Sequence, residues 1–248
     1  MNPAWQQASS DVRFEWGPSG AAALAADVTV VVDVLSFSTT VSVAVERGIE
    51  VFPFRWRDVR ATTYAMTRDA VLAVGRSEAG PGQISLSPAT VRAATDVRRL
   101  VLPSPNGSSI SFELAEAGGE VVAGCLRNAS ATGALLAERV RSGASVGVVA
   151  AGERWPDGTL RPAIEDLWGA GALLAALEEH GVGRPSAEAR AAAAAYRLVA
   201  GDLGTALHEC ASGVELVGNG YPEDVAVAAE LDASAVVPLL RGESYVAA

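Results

Sequence analysis

Three acidic residues lie where a carboxylate could take part in chemistry. Asp33 interrupts the apolar run at residues 28–34, and Glu165 and Asp166 open a segment with helical spacing. Mg²⁺ prefers a few carboxylates and bridges them to the oxygens of a substrate phosphate, so these residues are candidate metal ligands. Asp33 is also a candidate nucleophile toward phosphorus. Structural roles remain open, because Asp33 could cap a helix or pair with an arginine, and acidic residues in a first helical turn complement the helix dipole.

Hydroxyl and amide side chains follow several apolar runs of the sequence. They are Ser38, Thr39, Asn106, Ser108, Asn128 and Ser130. Each is a favourable helix N-cap, and a cap needs no ligand. Together, side chains of this type and helix N-termini supply the donors that a phosphate or carboxylate requires without many lysines. Arg127, beside one of these segments, is our first candidate for a bidentate cationic contact to an acid group.

The elements that would position these residues alternate between two types. Apolar runs predict strands at 28–32, 70–74, 100–102, 120–124 and 145–150, and helical spacing predicts helices at 39–46, 57–66, 109–117 and 129–141. Such alternation is typical of βαβ units on a largely parallel sheet. The last third predicts helices at 165–180, 186–199, 203–210 and 222–231, before a short strand at 235–240. The sequence therefore predicts an α/β fold with a helical C-terminal third.

Ligands of open parallel sheets bind beyond the carboxyl ends of the strands, where loops lead into helix N-termini. Asp33 follows the first predicted strand, and residues 103–109, 124–130 and 150–153 follow three others. We expect these four segments to form one rim. A bound anion should then contact the 104–108 loop and the 128–130 turn together.

Composition excludes several classes of protein. The 248 residues carry 19 Lys and Arg against 29 Asp and Glu, a net charge of −10, which argues against a nucleic-acid partner. Cys125 and Cys210 show no metal-binding spacing. No secretory signal is visible, and no apolar run reaches the ~20 residues of a membrane helix. We expect a soluble cytoplasmic protein with no membrane partner. The alanine-rich helix at 186–199 and the high apolar fraction suggest a homo-oligomer.

Five groups of short motifs then occur in a distinctive order. They are DVLSFSTT at 33–40, PNGS at 105–108, RNASA at 127–131, IED at 164–166 with GAG at 169–171, and GYPEDV at 220–225. In order and spacing they resemble the 2-phosphosulfolactate phosphatase family over residues 28–240. The resemblance implies a three-layer α/β/α fold. It divides the single domain 1–248 into an N-terminal extension, 1–26, and a family-like region, 27–240.

The resemblance also implies a Mg²⁺-dependent phosphatase that acts on the phosphate ester of a small 2-hydroxy acid. Mg²⁺ would be bound by Asp33 and one or both of Glu165 and Asp166, and Asp33 and Glu165 would be catalytic. The substrate would contact Ser38, Thr39, Asn106, Gly107, Ser108, Arg127, Asn128 and Ser130. Attack by a metal-bound water and attack by Asp33 itself both remain open.

Three places depart from the family pattern, and the mildest is Asn-Gly-Ser at 106–108 where the family commonly has Asn-Gly-Thr. The arginine that usually follows Asp33-Val34-Leu35 is Ser36 here, and the usual Gly-Glu-Arg stretch is Gly-Arg-Ser-Glu at 75–78. An arginine lost from an anion site removes a planar, bidentate contact, for which Arg76 is a candidate replacement. A second hypothesis follows, a non-catalytic binding protein for a small phosphorylated or carboxylated metabolite. The retained carboxylates favour the enzyme, because they repel an anion unless a cation intervenes.

Overall fold

A nine-stranded sheet forms the centre of the protein. The structure, a computed structural model, describes residue 2 and residues 4–56 and 58–248. The described strands are β1 Val12–Trp16, β2 Val28–Val32, β3 Glu50–Phe54, β4 Val71–Leu72, β5 Arg99–Pro103, β6 Glu120–Gly124, β7 Val146–Ala150, β8 Glu153–Arg154, β9 Leu160–Arg161, β10 Pro238–Arg241 and β11 Ser244–Ala247. The order across the sheet is β1-β7-β2-β6-β10-β11-β3-β5-β4, and β8 and β9 form a separate hairpin.

Helices cover both faces of this sheet. The described α-helices are α1 Gly17–Leu24, α2 Phe37–Glu46, α3 Val59–Thr67, α4 Pro88–Ala93, α5 Gly107–Ala117, α6 Ala129–Arg141, α7 Ile164–Glu179, α8 Ala187–Val199, α9 Leu203–Glu209, α10 Ala211–Gly218 and α11 Pro222–Ala228. Among the described residues, none of the helices has both the length and the apolar composition needed to cross a membrane.

The sheet contains two parallel groups of strands. Strands β1, β7, β2 and β6 pair in parallel, and so do β3, β5 and β4. The β10–β11 hairpin lies between the groups and pairs antiparallel with each, through Leu239 opposite Val122 and Tyr245 opposite Val51. Because three antiparallel pairings separate the groups, the two groups run in opposite senses. The sheet is therefore mixed.

The apolar strands explain the three layers. All five residues of β2 are buried, and successive side chains of a strand point to opposite faces. Val30 packs with Leu136 and Leu173 in the core on one face, whereas Val31 packs with Phe37 and other side chains on the opposite face. The predicted three-layer α/β/α architecture with a helical C-terminal part is confirmed.

Several elements were not predicted. The segment expected to be an N-terminal extension supplies the edge strand β1 and helix α1. Strand β3 contains Pro53, which weakens a strand signal, and β11 and α10 were also missed. The helix predicted at 57–66 corresponds to α3, and its predicted first residue, Arg57, lies outside the described residues.

Candidate functional site

Asp33, directly after β2, joins two parts of the sheet. Its side chain is buried, with Oδ1 accepting the N–H of Phe37 at 3.0 Å and Oδ2 accepting the N–H of Gly107 at 2.9 Å. Its own N–H donates to Oγ of Ser38 at 3.0 Å. Gly107 begins α5, which follows β5 in the other parallel group. The ends of β2 and β5 therefore meet, although the two strands are not neighbours.

Gly107 is required by this close approach. A Cβ at this position would lie 2.3 Å from Cδ1 of Phe37 and 2.9 Å from Oδ2 of Asp33. Neither atom can yield easily, because the Phe37 ring is fully buried and the carboxylate is held by two N–H groups. A side chain at position 107 would thus separate α5 from the Asp33 carboxylate.

Asp166 joins a third segment to the same place. Its Oδ1 accepts the N–H of Val34 at 2.7 Å, and its Oδ2 accepts the N–H of Gly152 at 2.8 Å. Helix α7 begins at Ile164, so Glu165 and Asp166 both lie in its first turn. The residues that follow β2 and β7 therefore converge on the N-terminus of α7.

Glu165 is the least satisfied carboxylate at this point. It is only 2% exposed, and its Oε2 has no hydrogen-bond partner among the described residues. Burial first, and then the negative charges of Asp33 and Glu165, raise the pKa of Asp166 well above its ordinary value. Burial also raises the pKa of Asp33, against the opposing effect of its backbone hydrogen bonds. A bound cation would relieve this accumulation of negative charge.

Glu153 is a fourth carboxylate of the site, which the sequence analysis did not select. It begins β8, and its Oε2 accepts a hydrogen bond from Nδ2 of Asn106 at 2.9 Å. Burial, followed by the charge of Asp33, raises the pKa of Glu153 to about 7, while the Asn106 hydrogen bond and the Arg161 charge lower it. The available signal was its position, since residues 150–153 follow a buried strand.

Arg76 supplies a positive charge near Asp33 and opposes the rise of its pKa. Its Nε donates to Oδ2 of Asp224 at 2.8 Å, and its Nη2 donates to Oγ of Ser36 at 2.5 Å. Asp224 is 1% exposed, and its Oδ1 also accepts from Oγ of Ser87. Arg76 thus reaches the loop in which Ser36 replaces an arginine of the family pattern.

Three predicted substrate contacts have other partners. Arg127 is 2% exposed and pairs with Glu46 at 2.8 Å and with Glu230. The side chain of Asn128 is bonded to the backbone of Cys125, Ala123 and Val236, and the N–H and hydroxyl of Ser130 donate to Asp232. None of these hydrogen bonds involves Asp33, Glu153, Glu165 or Asp166. The structure therefore joins the 104–108 loop to Asp33 but does not join the 128–130 turn to it in this way.

The predicted hydroxyl contacts support the loops from inside. Oγ of Ser38 donates to the carbonyl of Val31 at 2.9 Å. Oγ1 of Thr39 donates to Val34 at 2.8 Å, and Oγ of Ser108 donates to Leu102 at 2.7 Å. All three hydroxyl groups are buried. They hold the segments after β2 and β5 in place. Because each hydroxyl proton is donated to a backbone carbonyl, these oxygens can only accept further hydrogen bonds.

The donor set fits a hard divalent cation. Among the described residues, no group of three or more His, Cys, Asp or Glu side chains is arranged so that it could hold a metal ion. Mg²⁺ requires less, because it keeps several waters and uses one or two carboxylates together with substrate phosphate oxygens. The unpaired Oε2 of Glu165, with Asp33 and Asp166 close enough to perturb one another, meets this requirement.

Comparisons with known proteins identify a family for this chain. A family model described as 2-phosphosulpholactate phosphatase matches residues 19–243. A relative from Thermus thermophilus named "Probable 2-phosphosulfolactate phosphatase" is 31% identical over 220 residues, 87% of this chain and 89% of the relative. A Deinococcus radiodurans protein of the same name is 31% identical over 220 residues, 86% and 88% of the two chains. The matched region contains all four carboxylates.

Proposed function

The chain belongs to the 2-phosphosulpholactate phosphatase family, and we propose that it hydrolyses the phosphate ester of a small 2-hydroxy acid such as 2-phosphosulfolactate. The reaction class is hydrolysis of a phosphoric monoester. The observation that supports this proposal is the convergence of Asp33, Glu153, Glu165 and Asp166 where the segments after β2, β5 and β7 meet.

Mg²⁺ is the proposed cofactor, held by Asp33 and Glu165 with Asp166 beside them. Bound there, it would supply positive charge to the phosphoryl group in the transition state. The unpaired Oε2 of Glu165 supports this assignment, because an unpaired buried carboxylate oxygen is costly. Both oxygens of Asp166, like those of Asp33, accept backbone N–H groups, and each oxygen keeps a second lone pair for a cation. Asp166 also positions the loops after β2 and β7.

Asp33 is held in one orientation by its two backbone hydrogen bonds. This rigidity suits a metal ligand and also a nucleophile, and both roles remain in the proposal. Glu153 is the proposed general acid, because a carboxyl group that is protonated near neutral pH can donate a proton to the leaving alkoxide. Asn106 would orient it through the hydrogen bond to Oε2.

Phosphate-ester turnover tests the function. Release of inorganic phosphate from 2-phosphosulfolactate and 2-phospholactate is measured with Mg²⁺, with EDTA and after Mg²⁺ is restored. We expect activity that EDTA removes and Mg²⁺ restores. A protein that binds these esters tightly but releases no phosphate would support the non-catalytic hypothesis instead.

Glu165→Gln tests the metal assignment, with Glu188→Gln as its control. Both glutamates lie in the first turn of a helix, but Glu188 is exposed. Mg²⁺ should raise the melting temperature of the wild type and of Glu188→Gln, since a ligand at 100 times its Kd stabilises by about 2.7 kcal/mol. Glu165→Gln should lose this shift. An equal shift in all three proteins would contradict the assignment.

A homo-oligomer and a cytoplasmic location stay predictions. The alanine-rich helix α8 buries Ala189, Ala192 and Ala193 in the core that includes residues of α7, so only its other face is available to a second copy. Light scattering at micromolar concentration would give the oligomeric mass, and fractionation of the source cells would give the location.

A further inference from the structure

The Arg76 guanidinium is anchored on one side and available on the other. Asp224 and Ser36 take up Nε and one N–H of Nη2. Nη1 has no hydrogen-bond partner in the described part of the chain, and the side chain keeps 18% exposure. Arginine has five N–H donors, so three remain after both anchors are satisfied, two of them on Nη1.

Arg76 also lines a cavity of about 730 Å³. The segment after β4, Pro103 at the end of β5 and Tyr221 before α11 contribute to its walls. The ring of Tyr221 lies 5.8 Å from the guanidinium carbon. The volume is in the range of small-molecule sites. Arg76 therefore lies between this cavity and the loop that carries Asp33.

We propose that Arg76 binds the second acid group of the substrate, a carboxylate or sulfonate, while the phosphoryl group lies at the Asp33 cluster. This inference rests on the proposed function and assigns the side chain that selects the substrate. A planar fork matches the oxygens of either acid group in a bidentate pair. Asp224 and Ser36 orient that fork before the substrate arrives, which reduces the entropy lost on binding.

The charges in the cavity restrict where an anion can bind. Asp58, Glu78 and Glu215 line the cavity, and Arg76 is its only cationic wall residue within the described chain. A second anionic group is attracted to the Arg76 end and repelled elsewhere. The site thus selects a small substrate in which one acid group lies close to the phosphate ester, as in a 2-phosphorylated hydroxy acid.

Product binding tests the inference without turnover. Sulfolactate, which keeps the sulfonate and carboxylate but lacks the phosphoryl group, is titrated calorimetrically into the protein in the presence of Mg²⁺. We expect Arg76→Gln to weaken binding by about 10- to 100-fold. Arg197→Gln is the matched control, because Arg197 also pairs with a single carboxylate, Glu178, away from the site; it should bind as the wild type does.

A double variant guards against a folding defect. Asp224 is buried, so Arg76→Gln alone leaves the Asp224 carboxylate without its cation. The double variant Arg76→Gln with Asp224→Asn instead places two neutral amides of similar shape at these positions. The double variant should melt cooperatively and show the same loss of sulfolactate affinity. Wild-type affinity in the double variant, or no sulfolactate binding by the wild type, would overturn the inference.

Kinetics provide a second readout that a structural role would not produce. The substrates are 2-phospholactate and 2-phospholactamide, its isostere in which a neutral amide replaces the carboxylate. Arg76→Gln should raise KM for the acid at least tenfold and leave KM for the amide within about twofold. An equal loss on both substrates would overturn the inference. If no ester is hydrolysed while sulfolactate binding still depends on Arg76, the proposed function fails and the acid-group site stands.

Discussion

Oδ2 of Asp33 lies 2.9 Å from the backbone nitrogen of Gly107. This hydrogen bond joins the residue after β2 to the first residue of α5. It crosses between the two parallel groups of strands, which the β10–β11 hairpin joins within the sheet. The same contact holds the central carboxylate of the site and fixes the start of a helix, so stability and activity are coupled there.

Gly107→Ala should push helix α5 away from the Asp33 carboxylate. The new Cβ would overlap the Phe37 ring and the Asp33 carboxylate. Overpacking of this kind costs about 1–3 kcal/mol. We expect a lower free energy of unfolding in urea and a lower kcat. Gly204→Ala is the control, because its added Cβ meets nothing within 4 Å among the described residues outside its own helix backbone and chain neighbours. Equal stability of the two variants would contradict the close approach.

Asp33→Asn should abolish most turnover and also reduce stability. Both carboxylate oxygens accept backbone N–H groups, so the amide nitrogen of asparagine would face a donor. An unmet buried hydrogen bond costs about 1–3 kcal/mol. We expect kcat to fall by more than about tenfold, a barrier increase above ~1.4 kcal/mol. Steady-state hydrolysis and thermal melting measure the two effects.

Asp157→Asn is the control for this substitution, because Asp157 is exposed in the turn between β8 and β9. It should keep wild-type kcat. A folded Asp33→Asn protein that retains more than about a tenth of wild-type kcat would exclude a central catalytic role for Asp33.

Glu153 should make the protein less stable as pH rises. Its pKa is raised from 4.5 to about 7 by burial and by the Asp33 charge, so between these values the folded state binds more protons than the unfolded chain. The free energy of unfolding therefore decreases with pH in this window, by on the order of 1–3 kcal/mol. Glu153→Gln should flatten this slope, measured by urea unfolding from pH 5 to 8.

The same variant tests proton donation. Wild-type kcat should fall above about pH 7 as Glu153 loses its proton, and Glu153→Gln should be slow at every pH. Glu188→Gln, at an exposed position, should keep both the wild-type stability slope and the wild-type rate profile. A Glu153→Gln protein with wild-type kcat would remove the residue from the mechanism.

Arg127→Met should reduce stability without changing substrate affinity. Arg127 is buried and pairs with Glu46 and Glu230, whose side chains are about one-third exposed and can be hydrated after its removal. We expect a loss of about 1–3 kcal/mol in unfolding free energy. Arg139→Met, which breaks a more exposed pair with Glu120, should cost under about 1 kcal/mol. A tenfold rise in KM for Arg127→Met would contradict this prediction and indicate that Arg127 contacts the substrate.

Local sequence signals determined the parts of the fold that depend on neighbouring residues. The β-branched run of β2 predicts a buried strand because four of its five residues are valine, and Asp33 stands out because a charge ends that run. Glu165 and Asp166 are visible for a similar reason, since a helix with an apolar face begins directly at them. The family motifs then predict the α/β/α layers and the phosphatase class, both of which are confirmed.

Tertiary structure decided which of these residues meet. Arg76 and Asp224 are 148 positions apart. No local sequence pattern predicts their ion pair or the hydrogen bond from Arg76 to Ser36. The loop after β5 reaches Asp33 although its group of strands runs in the opposite sense. The turn after β6 does not, because Arg127 pairs there with Glu46 and Glu230. The pKa of Glu153 is raised only in the folded protein, where the side chain is buried from water and lies near the charge of Asp33. Periodicity along the chain reports burial, whereas partner choice and carboxyl pKa depend on distances that only the packed structure sets.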